Sequence, residues 1–141
     1  MRFVTQTAPE QEITGLVDKG LHNHNASHIG EKIYSQYAKL AVLAYDESDQ
    51  IIGGIYGEVF WDWLHVDTLW VDENYRDRGI GARLLADIES EARSRGMIGA
   101  HLETTTFQAR PFYEKQGYTV IGVLEDIPIG HQMFYLRKRW G

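Results

Sequence analysis

The sequence contains no cysteine. Thiol catalysis, thiolate metal sites and disulfides are therefore excluded, and the usage fits a reducing compartment. Nowhere do 18 apolar residues run together, so no segment is long enough to cross a bilayer as a helix. Residues 1–6 lack the apolar stretch of a secretory leader, and a cytoplasmic protein without a membrane partner is expected. Basic residues are outnumbered: 14 Lys and Arg stand against 20 Asp and Glu, a net charge of −6. A nucleic-acid binder needs a basic footprint to neutralise phosphates, so no nucleic-acid partner is expected. The acid excess suits a cationic acceptor such as an amine. Proline-rich linkers, repeats and low-complexity runs are missing as well, and residues 1–141 read as one domain.

What is present is ordinary globular patterning, 43% hydrophobic and 24% charged. Residues 3–6 read as a short first strand. Pro9 then opens a helix with Glu10 and Glu12 near the positive end of its dipole. Its apolar spacing fades into the polar stretch 22–27, and a weaker helix is expected over residues 31–37. Residues 39–45 and 51–60 are β-rich runs around a turn composition and form a plausible hairpin; 64–71 is another strand. The clearest helix is 78–95, where Ile80, Leu84, Leu85, Ile88 and Ala92 share one stripe and Gly96 ends it. Strand 98–105, helix 108–116 and strands 118–124 and 133–136 complete the order. That order predicts a mixed sheet with helices on its faces.

Between strand 64–71 and helix 78–95 lies Arg76-Asp77-Arg78-Gly79-Ile80-Gly81-Ala82. A strand turning directly into a helix leaves the first-turn N–H groups unpaired, and with the helix dipole they make an anion site. Gly79 and Gly81 carry no Cβ to block a phosphate, and Arg76 and Arg78 add positive charge. A nucleotide P-loop would need Lys-Ser/Thr where Ala82-Arg83 stands. A dinucleotide fingerprint would need a third glycine where Leu84 stands. A glycine-softened helix start flanked by surface arginines is the plain structural alternative.

Arg76 to Gly81 resembles the Gln/Arg-x-x-Gly-x-Gly/Ala signature of the GNAT superfamily of acetyl-coenzyme-A-dependent N-acetyltransferases. A second block, Gln108-Ala109-Arg110-Pro111-Phe112-Tyr113-Glu114-Lys115-Gln116-Gly117-Tyr118, resembles that family's Asn-x-x-Ala-x-x-Phe-Tyr-x-x-x-Gly-Phe. Gln108 replaces an asparagine and Tyr118 a phenylalanine. The blocks cover about the last half of the chain, and the first half agrees in element order. The resemblance implies one α/β (mixed α+β) domain with a mostly antiparallel mixed sheet of about six or seven strands and about four helices. It implies acetyl-CoA as donor and a primary amine of a small molecule as acceptor, with no metal. The acceptor's identity and the oligomeric state stay open, a homodimer being common among proteins that resemble this one. A protein lysine or N-terminal acetyltransferase and a non-catalytic acyl-CoA-binding regulatory module are the competing readings.

In such a reaction an amine attacks the thioester carbonyl, giving a tetrahedral oxyanion and then a thiolate. The resemblance places the donor on Leu69, Trp70, Val71, Arg76, Asp77, Arg78, Gly79, Ile80, Gly81, Ala82, Gln108 and Phe112, with a backbone N–H near Leu69 for the oxyanion. It places the Tyr113 hydroxyl near the departing sulfur, as the expected proton donor to the thiolate. An alkyl ammonium has a reference pKa of about 10.4, so a base is needed. His65 falls where several related families keep a catalytic glutamate or histidine, and Asp67 where some keep a second histidine. By strand alternation the two share a face about 7 Å apart; ordinary polar strand residues and a water as base are the alternative.

Trp61, Trp63 and Trp70, with Asp62 and Glu58, read either as packing or as walls of an acceptor pocket. His22, His24 and His28 lack an acid to complete a ligand set, and no metal is expected there. Tyr34, Tyr37 and this polar stretch are expected to shape the acceptor pocket.

Overall fold

The computed structural model describes residues 1–140. The elements are α1 (Gln11–Ile29), α2 (Glu31–Tyr34), β1 (Ala38–Tyr45), β2 (Ile51–Phe60), β3 (Trp63–Val71), a 3-10 turn (Glu73–Tyr75), α3 (Ile80–Ser94), β4 (Gly99–Thr105), α4 (Arg110–Lys115), β5 (Thr119–Glu125) and β6 (Gln132–Arg139). Two compact units divide the chain, Met1–Ser35 and the remainder from Gln36.

In the first unit α1 begins after Pro9 and Glu10 and carries Glu12 in its first turn, where an acid faces the dipole favourably. It continues through residues 22–27, where the apolar spacing fades. Local bonds hold this end: Ser27 Oγ donates to the His24 carbonyl at 2.6 Å, and His28 Nδ1 lies 2.9 Å from the same oxygen. Gly30, at φ 84°, breaks the helix before α2. The strand expected at residues 3–6 does not form. Phe3 is 88% exposed, and among the described residues no strand pairs with this segment. A strand needs a neighbour for its N–H and C=O groups, and apolar residues alone do not supply one.

The second unit is built on one six-stranded sheet in the order β1-β2-β3-β4-β6-β5. Every pairing is antiparallel except β3 with β4. That single parallel step follows from α3, the crossover between those strands. Leu84, Leu85, Ile88 and Ala92 form the buried stripe of α3. They pack with Ile55 and Val59 of β2, Leu64 and Val66 of β3, Ala100 and Leu102 of β4, and Phe134 and Leu136 of β6. Burying a side chain of this size stabilises the fold by about 1.5–3 kcal/mol. Gly96, at φ 87°, ends α3 as its spacing predicts. At the sheet end of the helix, Glu89 accepts from Tyr118 Oη at 2.7 Å and from Lys138 Nζ at 2.8 Å, tying α3 to β6. Burial first, and then this bond to Glu89, hold the Tyr118 phenol protonated far above the usual tyrosine range.

One irregularity sets the site. Tyr56 faces Thr68 while Gly57 faces Val66, so Asp67 is an extra residue, a β-bulge in β3. Before the bulge Leu64 and Val66 point into the core; after it, Leu69 and Val71 pack there instead. Gly57 permits the bulge, because a Cβ there would run into the His65 carbonyl oxygen. Gly57→Ala is expected to destabilise the fold by about 3 kcal/mol, as overpacking against backbone cannot relax by a rotamer change. A shifted urea midpoint at constant slope would show it; an unchanged midpoint would mean the strands part freely here.

Candidate active site

The parallel pairing of β3 with β4 stops after three rungs: Trp63 with Gly99, Leu64 with Ala100, and His65 with His101. Beyond His65 the strands separate, and among the described residues no strand pairs with that edge of β3 from Val66 to Val71. Backbone N–H and C=O groups there are left to other partners. Arg76 takes one of them, its Nε donating to the Val71 carbonyl at 3.1 Å. A sheet that splits between two central strands offers a ligand main-chain hydrogen bonds without any side chain having to supply them.

Into this split opens a cleft of about 830 Å³. Leu69, Trp70 and Val71 form one wall, Arg76, Asp77, Gly79, Ile80, Gly81 and Ala82 the next, and Gln108, Phe112 and Tyr113 the third. Of the twelve expected donor-binding residues, eleven therefore line one cavity. Arg78 does not. Its guanidinium lies over the Tyr75 ring at 5.0 Å, beside a separate depression with Leu43, Arg83 and Asp87. Lys115 lines the cleft and supplies the positive charge that Arg78 was expected to give. Its place in the second block, five residues after Arg110 and at the end of α4, was the available signal.

The local chain path explains the floor of the cleft. Asp72 Oδ1 accepts from Asn74 N at 2.8 Å and starts the 3-10 turn. Asp77 at φ 62° and Gly79 at φ 77° then reverse the chain so that α3 begins facing the cleft. α3 has no side-chain cap and no acid in its first turn. Its leading N–H groups and dipole are thus unneutralised, which is what an anion requires. A Cβ on Gly79 would meet nothing within 4 Å, so the glycine answers a positive φ and leaves open space above the backbone. These features fit a pyrophosphate.

Gln108 caps the turn into α4. Its Oε1 accepts from Thr105 N at 2.8 Å and from Thr104 Oγ1 at 3.4 Å. Only its NH₂ group is left for a ligand. Tyr113 is 7% exposed, yet its hydroxyl has no hydrogen-bond partner among the described residues and is not sealed from solvent. Burial pushes its phenol up to about 12. The group therefore stays protonated across the working pH range and keeps a free donor in the cleft.

His65 and Asp67 are not brought together. Asp67, the bulged residue, makes only a 3.5 Å contact with Thr68 Oγ1 and lines a hollow with Tyr37, Tyr56 and Glu58. Tyr37 donates to Glu58 Oε2 at 3.0 Å, which holds the phenol protonated above its ordinary range. The partner of His65 is Glu103, with Nε2 and Oε2 2.8 Å apart. His101 stands beside them, its ring centroid 4.8 Å from that of His65. Burial, and next the His65 charge, hold His101 below the usual histidine range, with Glu103 acting the other way. The ligand-type atoms of these three side chains lie within 4.8 Å of one another, and two already share a short hydrogen bond. His101 joins the pair by ring contact, not by a hydrogen bond. Trp70 lines the main cleft, whereas Trp61 and Trp63 border a different hollow with His101 and Arg137. In the first unit His22 meets Tyr34 and Glu31, while His24 and His28 stack on each other.

A mostly antiparallel sheet split at one parallel pair, with an uncapped helix start beside the split, is the mixed fold that the two sequence blocks led one to expect. The chain belongs to the acetyltransferase (GNAT) family, whose model matches residues 10–118. It is similar to the blasticidin-S acetyltransferase of Streptomyces morookaense, 45% identical over 91 residues that make up 64% of this chain and 67% of the relative. The crystal structure of an acetyltransferase from Bacillus cereus superposes with a TM-score of 0.89 at 31% identity, covering 97% of this chain and 98% of that one. A Bacillus anthracis protein assigned as a streptothricin acetyltransferase, crystallised with acetyl-coenzyme A, has a TM-score of 0.67 at 27% identity over 73% of this chain and 63% of its own. The protein is an acetyltransferase with the mixed fold and helix count expected from its sequence.

Proposed function

We propose that this enzyme moves an acetyl group from acetyl-coenzyme A to a primary amine of a small, cationic molecule. One observation carries the reading: eleven expected donor-binding residues and Tyr113 line a single cleft at the β3–β4 split. The leading N–H groups of α3, with Arg76 and Lys115, hold the pyrophosphate. The free edge of β3 near Leu69 takes the pantetheine arm and gives an N–H to the carbonyl oxygen. Leu64 and Val66 place the α3 face on one side of the split, and His65 lies on the other. An acceptor approaching from the His65 side reaches a carbonyl held in the gap.

His65 takes the proton from the amine nitrogen as the N–C bond forms. The C–S bond then breaks, and Tyr113 donates a hydrogen bond to the departing thiolate. On the acceptor side Glu58, Asp67 and Glu103 supply negative charge, which supports a cationic acceptor. The naming of one relative for blasticidin S supports a small one. We further read residues 1–141 as a single functional domain, because the matched residues run through both compact units, and place it in the cytoplasm on its cysteine-free composition, which fits a reducing compartment.

The test is a panel of amines, from mono- and polycationic small molecules to lysine peptides, scored by coenzyme A release. Turnover is expected with cationic small molecules and not with peptides. Preference for peptides would replace the acceptor assignment, and no turnover with any amine despite tight acetyl-CoA binding would favour a binding module.

A further inference from the structure

We propose that Glu103 is the positioning residue of this reaction: its carboxylate fixes His65 as the Nε2–H tautomer and leaves Nδ1 as the lone pair that takes the amine proton. The inference rests on the reading of His65 as base. A carboxylate only accepts hydrogen bonds, so the 2.8 Å contact to Oε2 requires a proton on Nε2. A neutral imidazole protonated there has one free nitrogen, Nδ1.

The backbone makes this pairing unavoidable. His65 and His101 form the last rung of the parallel pair, and Glu103 follows His101 by two residues on the same face of β4. Where the strands part, the Glu103 side chain leans across to His65. Side-chain exposures are 24% for His65 and 34% for Glu103, so the bond is partly shielded from water. His101 packs against the His65 ring at 4.8 Å and limits its rotation. Because burial keeps His101 neutral, it does not compete for the Glu103 charge.

The other charged and titratable groups facing His65 leave Glu103 as its partner. Glu58 on β2 is directly opposite but accepts from Tyr37. Asp67 on β3 is carried off by the bulge. On β6, Tyr135 stands opposite Glu103 and Arg137 opposite His101, neither bonded to His65.

The test combines histidine ¹⁵N NMR with pH profiles of kcat/KM for the full chain and the variants His65→Gln, Glu103→Gln and Glu103→Asp. In the unaltered enzyme the neutral His65 ring is expected to be protonated at Nε2, with rate falling along an acid limb. Glu103→Gln replaces a carboxylate that only accepts by an amide that can also donate, so either ring nitrogen can then carry the proton. The substitution should lower kcat about tenfold with KM for acetyl-CoA unchanged, and mix the tautomers; Glu103→Asp should recover part of each. An unchanged tautomer with an unchanged kcat in Glu103→Gln would overturn the proposal. If His65→Gln keeps the limb, His65 is not the base, and the proposal fails with it. If no amine is acetylated at all, the function reading fails, while the NMR still decides whether Glu103 sets the tautomer.

Discussion

Replacing Gly81 by glutamate should raise the dissociation constant for acetyl-coenzyme A at least about 100-fold, roughly 2.7 kcal/mol, while leaving the fold intact. A Cβ at this position would meet the Phe112 ring at 3.5 Å and Val71 at 3.8 Å, so the rest of the side chain must project into the cleft. There it occupies the space proposed for the pyrophosphate and adds like charge to it. At the same time a carboxylate in the first turn of α3 suits the helix dipole, contributing about 0.3–1 kcal/mol to folding. Lost binding with an equal or raised melting temperature would therefore separate the two effects. Gly81→Ala is the control, because its Cβ contacts are ordinary van der Waals distances. Calorimetry at fixed salt measures both. Unchanged binding in Gly81→Glu would move the anion site elsewhere.

The cleft at the β3–β4 split was legible in the sequence because its determinants are local. Gly79 and Gly81 act through backbone within one turn, and the stripe Leu84, Leu85, Ile88, Ala92 places the helix that aims them. Seven of the eleven cleft residues fall in the blocks Arg76 to Gly81 and Gln108 to Tyr118; Ala82 follows the first, and Leu69, Trp70 and Val71 end the strand before it. Arg78 lies outside the cleft for a side-chain reason: Tyr75 offers its ring to the guanidinium, and no spacing rule anticipates that choice. The surroundings of His65 depend instead on register between strands. Alternation along β3 predicts that His65 and Asp67 face one partner, but the bulge opposite Gly57 displaces Asp67. His101 and Glu103 reach His65 through a parallel pairing set by the α3 crossover, a relation between residues 38 positions apart. Their signal was present only as His101-Leu102-Glu103, the same alternating pattern as His65-Val66-Asp67. At the other end, the apolar side chains of residues 3–6 suggested a strand that had no neighbour to pair with.

Tyr113→Phe should lower kcat by about 10- to 100-fold, and the physics of its surroundings says in which way. Burial pushes the phenol up to about 12, whereas a thiol has a reference value of about 8.5. Complete proton transfer from Tyr113 to a thiolate is then uphill by some three to four units, about 5 kcal/mol. A neutral phenol hydrogen-bonded to a charged sulfur needs no such transfer and stabilises it by about 1.5–3 kcal/mol. The hydroxyl is free of protein partners, so removing it strands no other buried group. The loss should appear in kcat, with KM for acetyl-coenzyme A unchanged, because the charge on sulfur develops only as the C–S bond breaks. No basic limb from Tyr113 is expected below about pH 11 in the unaltered enzyme, and Tyr113→Phe should leave the shape of the profile as it was. An unchanged kcat would remove Tyr113 from the reaction. A basic limb near pH 9 that vanishes in the variant would instead make the phenol a true proton donor and require a more polar cleft than the one Phe112 and Tyr118 build around it.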